Sequence, residues 1–275
     1  MDESSKRAMK RKPPNQLDRC VNRVNSLVMN RSDPQYHYQA GYAKLHPDYV
    51  RDLTRKKRKA SKIIAILKEH CGEDLAQMRA LDLGCSMGFI SAELAPHLKS
   101  LVGLDYDAEA IACASQQHRQ PNLRFESGDA MALDFADERF DLVISNQVYE
   151  HVPNSARMFE EIHRVLKPGG ICYLAASNRF KIMEDHYRLP LLSVMPKPWG
   201  HRYLKLLGRG DHYYETHLSL AGLKRQTAMF TVHDYTLRVI GDPERFGASD
   251  LIRSGSLKQK AALLIGRLAY WVVPG

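Results

Sequence analysis

The 275-residue chain is 44% hydrophobic and carries a formal net charge of +9, which suits one large folded domain and excludes a wholly disordered chain. No stretch approaches the ~18 apolar residues that cross a bilayer, and the five cysteines show neither CxxC pairs nor a disulfide-like spacing. The sequence therefore predicts neither a membrane-spanning protein nor a disulfide scaffold, and we expect it in a reducing cytoplasm.

The N-terminal part is strongly basic. Residues 1–45 are predicted to form a partly disordered arm, with a basic cluster at residues 6–12. A second cluster, at residues 55–59, begins a predicted helix that ends near Gly72. These charges have two interpretations: a solvated tail and helix face, or electrostatic docking to anionic lipid or nucleic acid.

The centre of the chain is a strand, a glycine-bearing turn and a helix. Leu81 and Leu83 indicate a short buried strand, and Ile90 begins the apolar stripe of the helix. Gly84 and Gly88 allow the intervening loop to turn sharply and let its backbone approach a ligand. The pattern predicts a small-molecule site at this turn.

A second strand, residues 101–105, ends in Asp105, about 20 residues after the glycine turn. A carboxylate here is suited to hydrogen-bond a ribose, or it only caps the following helix, for which Asp107 is the predicted N-cap. A dinucleotide fingerprint needs glycine at its first, third and sixth positions, which are Gly84, Ser86 and Phe89 here. A nucleotide site is therefore predicted, but not an NAD site.

The turn resembles motif I of class I S-adenosylmethionine (SAM) methyltransferases, an acidic-x-Gly-x-Gly-x-Gly run in which Ser86 replaces the middle glycine. The resemblance continues through four more segments and covers roughly residues 81–178. It implies an α/β fold with a Rossmann-like, mostly parallel seven-stranded sheet, helices on both faces, and SAM as cofactor. The cofactor-binding residues it implies are Asp82, Gly84, Cys85, Ser86, Gly88, Asp105, Tyr106, Asp129, Ala130 and Asn146.

The same resemblance gives roles to four of these residues. Asp105 is expected to hold the ribose hydroxyls and Tyr106 to lie against the adenine. Asp129 and the backbone N–H of Ala130, after a predicted third strand, are expected to contact the adenine amino edge. Gly-Asp is also a common turn dipeptide, so Asp129 alone is a weak signal.

A fourth strand, residues 140–145, leads into Asn146 and then Glu150-His151. His151 is either a general base, with an ordinary pKa of about 6.5, or a structural histidine. Similar quinone-pathway O-methyltransferases carry Glu-x-x-Glu-His around a metal ion at this point. Gln147 stands where the first carboxylate belongs, so the sequence predicts no metal.

The next segments complete the predicted domain, residues 46–250. A helix over residues 155–166 is followed by a Lys-Pro-Gly-Gly turn and a fifth strand. An insertion at about residues 179–216 is expected to cover the acceptor, together with tyrosines at positions 36, 38 and 42. Its pocket candidates, each alternatively a packing residue, are His186, Tyr187, Arg188, His212, Tyr213 and Tyr214.

The C-terminal part is predicted to resume the sheet. A short helix begins at Ser219, and residues 231–240 alternate as a strand does. Residues 251–275 form a predicted apolar helix, which either packs on the core or lies in a lipid interface through Tyr270 and Trp271.

The resemblance implies an enzyme that methylates a small-molecule or lipid-linked acceptor, at oxygen by preference. Two alternatives stay open: an RNA-directed methyltransferase, to which the basic clusters would draw nucleic acid, and a SAM-binding regulator without turnover. Peripheral contact with a membrane is a further expectation.

Overall fold

The computed structural model describes Gln35, Tyr38, Gln39 and residues 52–272. In this part of the chain, five parallel strands form one sheet in the order β3-β2-β1-β4-β5. Because the strand order reverses between β1 and β4, a ligand crevice is expected at their carboxyl ends. The strands are β1 (Arg79–Leu83), β2 (Ser100–Asp105), β3 (Leu123–Ser127), β4 (Phe140–Asn146) and β5 (Leu166–Ala175).

Helices precede the sheet, connect its strands and follow it. The first begins where the Asp52 side chain accepts a hydrogen bond from the Arg55 N–H, and it ends at Gly72, as predicted. Asp107 is the N-cap of the third helix, as predicted. Ser219 is the N-cap of the sixth, which confirms the short helix predicted to begin there. The helices are α1 (Leu53–Cys71), α2 (Phe89–Leu94), α3 (Ala108–Gln117), α4 (Ser155–Val165), α5 (Lys197–Leu206), α6 (Leu220–Gln226), α7 (Thr236–Gly241) and α8 (Leu257–Val272).

The core lies on both faces of the sheet. Successive strand side chains point to opposite faces, so Leu142 and Ile144 pack with Ile63 of α1, while Val143 packs on the other face with α4. The inward stripe predicted for α4 is confirmed, since its apolar side chains are fully buried: Met158, Ile162 and Val165.

The predicted strand at residues 231–240 is wrong. Its second half is helix α7, whose first N–H, that of Thr236, donates to the Asp234 carboxylate over 2.7 Å. A Cβ on Gly266 of α8 would lie 2.5 Å from a Leu237 methyl carbon, so α7 packs closely on α8. Local capping and this tertiary contact therefore override the alternating pattern. The described residues form five of the seven strands expected.

The Lys-Pro-Gly-Gly segment, predicted as a turn before the fifth strand, lies inside the bounds of β5 as an irregularity. The pairing with β4 shifts there, from Phe140 opposite Leu166 to Leu142 opposite Ile171. Gly169 has a φ of +76°, which suits glycine.

The insertion between β5 and α6 has its own small core. Leu189, Leu192 and Leu204 are buried with Tyr213, and Tyr187 packs against them. One bridge, between Asn178 and Leu218, ties its ends together, and another, between Met183 and Pro190, closes a loop inside it. The insertion is thus an ordered unit that can place side chains accurately.

The C-terminal helix α8 docks on α7, where the Gln259 side-chain amide donates to the carbonyls of Ile240 and Gly241. The described side chains of α8 do not include Tyr270 and Trp271, on which the lipid-interface interpretation depends. Across residues 52–272, none of the helices combines the length and apolarity needed to cross a membrane.

Candidate active site

The glycine turn is tied to the end of β2. The N–H groups of Gly84 and Cys85 both donate to the Leu104 carbonyl, over 2.8 and 3.1 Å. Gly84 has a φ of +74°, and a Cβ on it would lie 2.6 Å from a Val148 methyl carbon. Ser86 adopts a φ of +50°. This turn therefore needs glycine at position 84 for both its conformation and its space.

Asp105 closes the turn from the neighbouring strand. One carboxylate oxygen accepts the Ser86 N–H at 2.7 Å, and the other accepts the Asp107 N–H at 3.0 Å. Burial raises the pKa of Asp105, and these hydrogen bonds oppose the rise. A carboxylate has about four lone-pair sites, so Asp105 can shape the loop and still accept hydrogen bonds from a ribose.

Two further ionisable groups lie at the cavity wall. Asp82 is buried and accepts a hydrogen bond from the Ser91 hydroxyl at 2.6 Å. Burial raises the pKa of Asp82 to about 7. Burial also lowers the pKa of Lys56, on α1, to about 7. The charges of Asp82 and Lys56 therefore both change near neutral pH, and the net charge of the cavity changes with them.

Lys56 was not predicted as a site residue, because it belongs to a run of basic residues. Its spacing was the available signal: Lys56 lies four residues before Ala60 and seven before Ile63, both buried on the inner face of α1. The other basic side chains of the cluster point in different directions around α1. Lys59 donates to the Gln147 side chain at 2.7 Å, and Arg58 lies 3.8 Å from Asp250.

One cavity at the switch point gathers most of the predicted site. Nine of the eleven predicted residues line it: Asp82, Gly84, Cys85, Ser86, Asp105, Tyr106, Ala130, Asn146 and His151. Gly88 and Asp129 lie beside the wall instead. Gly88 starts α2 at a φ of +74° against the Phe125 ring, and Asp129 accepts the Met131 N–H at 2.9 Å in a turn. Gly128 and Ala130 line the cavity on either side of Asp129.

The opposite wall is formed by His151, after β4, and His186, from the insertion. His151 Nδ1 lies 3.8 Å from Glu215 Oε1, which accepts a hydrogen bond from the Tyr38 hydroxyl. The Gln39 side chain lines the cavity and donates to the His151 carbonyl at 2.7 Å. The N-terminal segment thus reaches the site; the tyrosines at positions 36 and 42 fall outside the described residues.

Of the pocket candidates in the insertion, His186 alone is among the residues that line this cavity in the described chain. Tyr213 is buried in the core of the insertion, and Tyr214 stacks on Tyr38 with ring centroids 4.3 Å apart. His212 lies against His201, at 4.4 Å between centroids. Tyr187 packs in the same insertion core, and Arg188 is exposed.

Of the three residues weighed as a metal site, Gln147 and His151 line the cavity and Glu150 does not. The Gln147 side chain is engaged with Lys59 and with the Ser177 hydroxyl. Glu150 is fully buried away from the cavity lining, and burial raises its pKa. His151 and Gln147 thus share the cavity lining without Glu150.

A parallel sheet, a glycine turn at its switch point and a carboxylate on the next strand define a Rossmann-like nucleotide site. Residues 81–174 match a family model described as a methyltransferase domain. Over these residues the chain is therefore similar to a methyltransferase domain, and the cofactor that this similarity implies is SAM. The site fits that cofactor, since Asp105 has spare lone pairs and the turn leaves its backbone close to the cavity.

Curated relatives carry a more specific name. A "Ubiquinone biosynthesis O-methyltransferase" from Psychrobacter arcticus is 31% identical over 169 residues, covering 58% of this chain and 62% of the relative. One of the same name from Pseudomonas aeruginosa is 31% identical over 127 residues, covering 43% and 55%. A SAM-dependent methyltransferase structure from Mesorhizobium loti is 20% identical over 68% of this chain and 91% of that one, with a TM-score of 0.49. The chain spans about three fifths of the length of the curated relatives it matches.

Proposed function

We propose that this chain transfers the methyl group of SAM to a hydroxyl oxygen of a small-molecule or lipid-linked acceptor. When bound, SAM supplies a methyl group already activated by a sulfonium. The observation that carries the proposal is one cavity with the glycine turn and Asp105 on one wall and two histidines on the other. The O-methyltransferase names of the relatives support oxygen as the methylated atom.

The residues of the chain have separate tasks in this proposal. The turn at Gly84 and the carboxylate of Asp105 hold the adenosine part, with Tyr106 and Ala130 at the adenine. Most of the acceleration comes from holding the acceptor oxygen in line with the methyl group. The acceptor hydroxyl must also lose a proton. The wall formed by His151, the predicted base, and His186 offers imidazole nitrogens that can accept it.

The RNA-directed alternative loses part of its support in α1. A phosphate-binding surface needs cations that face solvent together. Lys56 instead lines the cavity and Lys59 bonds to Gln147, whereas Lys57 stays exposed beside Glu93, 3.8 Å away. The basic cluster at residues 6–12 falls outside the described residues, so RNA stays an outcome of the test. The proposal places the chain in the cytoplasm, at a membrane surface if the acceptor is lipid-linked.

The test is incubation with methyl-labelled SAM and a cell lysate separated into small-molecule, lipid and RNA pools. We expect label in the small-molecule or lipid pool that is stable to mild alkali, as a methyl ether is. Release of methanol in alkali would mark a methyl ester and contradict transfer to a hydroxyl. Asp105→Ala should abolish this label, and Glu126→Gln, a change at a partly exposed position near the end of β3, should not. Label in RNA, or SAM binding without label in any pool, would contradict the proposal.

A further inference from the structure

The insertion places a second histidine, His186, beside His151. Their rings meet edge to face, with centroids 4.9 Å apart. His186 Nδ1 lies 2.9 Å from Glu184 Oε1. An ionised carboxylate only accepts hydrogen bonds. The Nδ1 atom of His186 is therefore the donor, and in the neutral ring Nε2 is the basic nitrogen.

The surroundings of Glu184 favour its ionised form. Its carboxylate is fully buried, and Oε2 accepts the backbone N–H groups of His186 and Tyr187, each at 2.8 Å. His217 Nε2 and Lys181 Nζ each lie 3.5 Å from Oε1. Burial opposes ionisation, but these hydrogen bonds and the neighbouring histidines hold the pKa of Glu184 well below its usual range. A fixed anion thus sets the tautomer of His186.

His151 is held less closely by its neighbouring carboxylate than His186 is. Its Nδ1 lies 3.8 Å from Glu215 Oε1, which is longer than a hydrogen bond. That oxygen also accepts from the Tyr38 hydroxyl. A histidine held by a buried carboxylate through Nδ1, with Nε2 basic, is the arrangement that activates hydroxyls in catalytic triads. In this cavity His186 has that arrangement.

We propose that His186, oriented by Glu184, takes the hydroxyl proton of the acceptor in the methyl transfer proposed above, on which this inference rests. The acceptor oxygen bonds to the methyl carbon as the carbon–sulfur bond breaks, and the sulfur keeps the electron pair. The O–H proton moves to His186 Nε2 and leaves to solvent after product release. Glu184 is a positioning residue, because it acts through the imidazole and stabilises its cation.

The charges around His186 set the direction of its titration. Burial opposes the imidazolium, but the hydrogen bond to Glu184 and the charge of Glu215 raise the pKa of His186 above its ordinary value. Only the neutral ring is a base, so activity should rise with pH through that pKa. The ionisable groups that face it are Glu150, His151, Lys181, Glu184, Glu215 and His217.

The first measurement needs no acceptor. In the full chain saturated with S-adenosylhomocysteine, NMR of ¹⁵N-labelled histidines, with His186→Gln for assignment, should show an Nδ1–H tautomer and a pKa above 6.5. Glu184→Gln should lower that pKa, because it replaces the anion by a neutral amide. An Nε2–H tautomer, or an unchanged pKa in Glu184→Gln, would overturn the proposal.

The second measurement uses the pool that the unaltered chain labels. His186→Gln should lower kcat/KM by roughly 10²–10⁴-fold and remove the acidic limb of its pH profile. Added imidazole should partly restore His186→Ala. Glu184→Gln should move the acidic limb to lower pH, an effect a purely structural role would not produce. His163→Gln, an exposed histidine on α4, is the control and should leave the profile unchanged.

Three results would overturn the catalytic role. His151→Gln could remove the acidic limb while His186→Gln keeps it, which would make His151 the base. Loss of wild-type turnover in a chelator would mean that the histidines hold a cation. If no pool is labelled, the proposed function falls and this role with it, whereas the NMR result still decides the pairing of His186 with Glu184.

Discussion

Replacing Asp105 tests the placement of the cofactor. Asp105→Ala removes a carboxylate that accepts from Ser86 at 2.7 Å and Asp107 at 3.0 Å. It therefore removes the ribose acceptor and also loosens the turn. Asp105→Asn separates the two effects in part, because the amide keeps one oxygen for the turn but brings a donor where the carboxylate accepted.

The expected loss follows from hydrogen bonds to a charged group, each worth about 1.5–3 kcal/mol. Asp105→Asn should lose at least one such bond to the ribose, about 2 kcal/mol, or about a 30-fold rise in the Kd for SAM. Asp105→Ala should bind SAM more weakly still, since the Ser86 and Asp107 N–H groups also lose their acceptor.

The assay is isothermal titration of the purified chain with SAM. S-Adenosylhomocysteine and its 2′-deoxy analogue then complete a double-mutant cycle. If Asp105 holds the ribose, removing the 2′-hydroxyl should cost the unaltered chain more than it costs Asp105→Asn. Glu126→Gln is the matched control, a carboxylate at the end of β3 paired with Arg124 at the surface. A folded Asp105→Asn variant that binds SAM within threefold of the unaltered chain would refute the placement.

Three further outcomes are expected. Gly84→Ala should weaken SAM binding, because the added Cβ overlaps Val148 and the φ of +74° costs about 1–2 kcal/mol. Adding Val148→Ala to this variant should restore only part of the binding, since it removes the overlap and leaves the backbone cost. Titration of both variants with SAM checks this. Between pH 6 and 8, affinity for cationic SAM should rise several-fold, since Asp82 gains negative charge and Lys56 loses positive charge near pH 7. S-Adenosylhomocysteine, which lacks the sulfonium charge, should change less, and Lys56→Met should flatten the curve. Ile162→Ala should lower the free energy of unfolding by about 2–5 kcal/mol in urea titrations, because the side chain is fully buried.

The wall of the cavity around the glycine turn could be predicted because its signals are local. The strand before Gly84, the turn and the strand that ends at Asp105 lie within about 30 residues. Each leaves its own pattern of apolar alternation, glycine or capping residue. Parallel pairing of β1 with β2 then brings the turn and Asp105 together at one edge, as the register shows. The arrangement of this wall therefore follows from neighbouring segments of the chain.

The opposite wall of the cavity could be predicted only in part, since His186 is a sequence candidate but its pairing with Glu184 is not. Glu184, His186 and Glu215 all come from the insertion, so their positions beside His151 depend on how a 38-residue segment, residues 179–216, folds back. No short pattern encodes that path. The failed strand at residues 231–240 has the same origin, because contact with α8 decides its structure.

Lys56 shows why composition misleads at such a site. A run of five basic residues suggests a solvated face, yet a helix turns its residues about 100° apart, so one of any such run can face inward. A buried lysine is tolerated where its pKa falls, and burial lowers that of Lys56 to about 7. Its charge then depends on what shares the cavity. An entering sulfonium favours neutral Lys56 and ionised Asp82, so this pair ties cofactor affinity to pH in a way that the glycine motif alone does not predict.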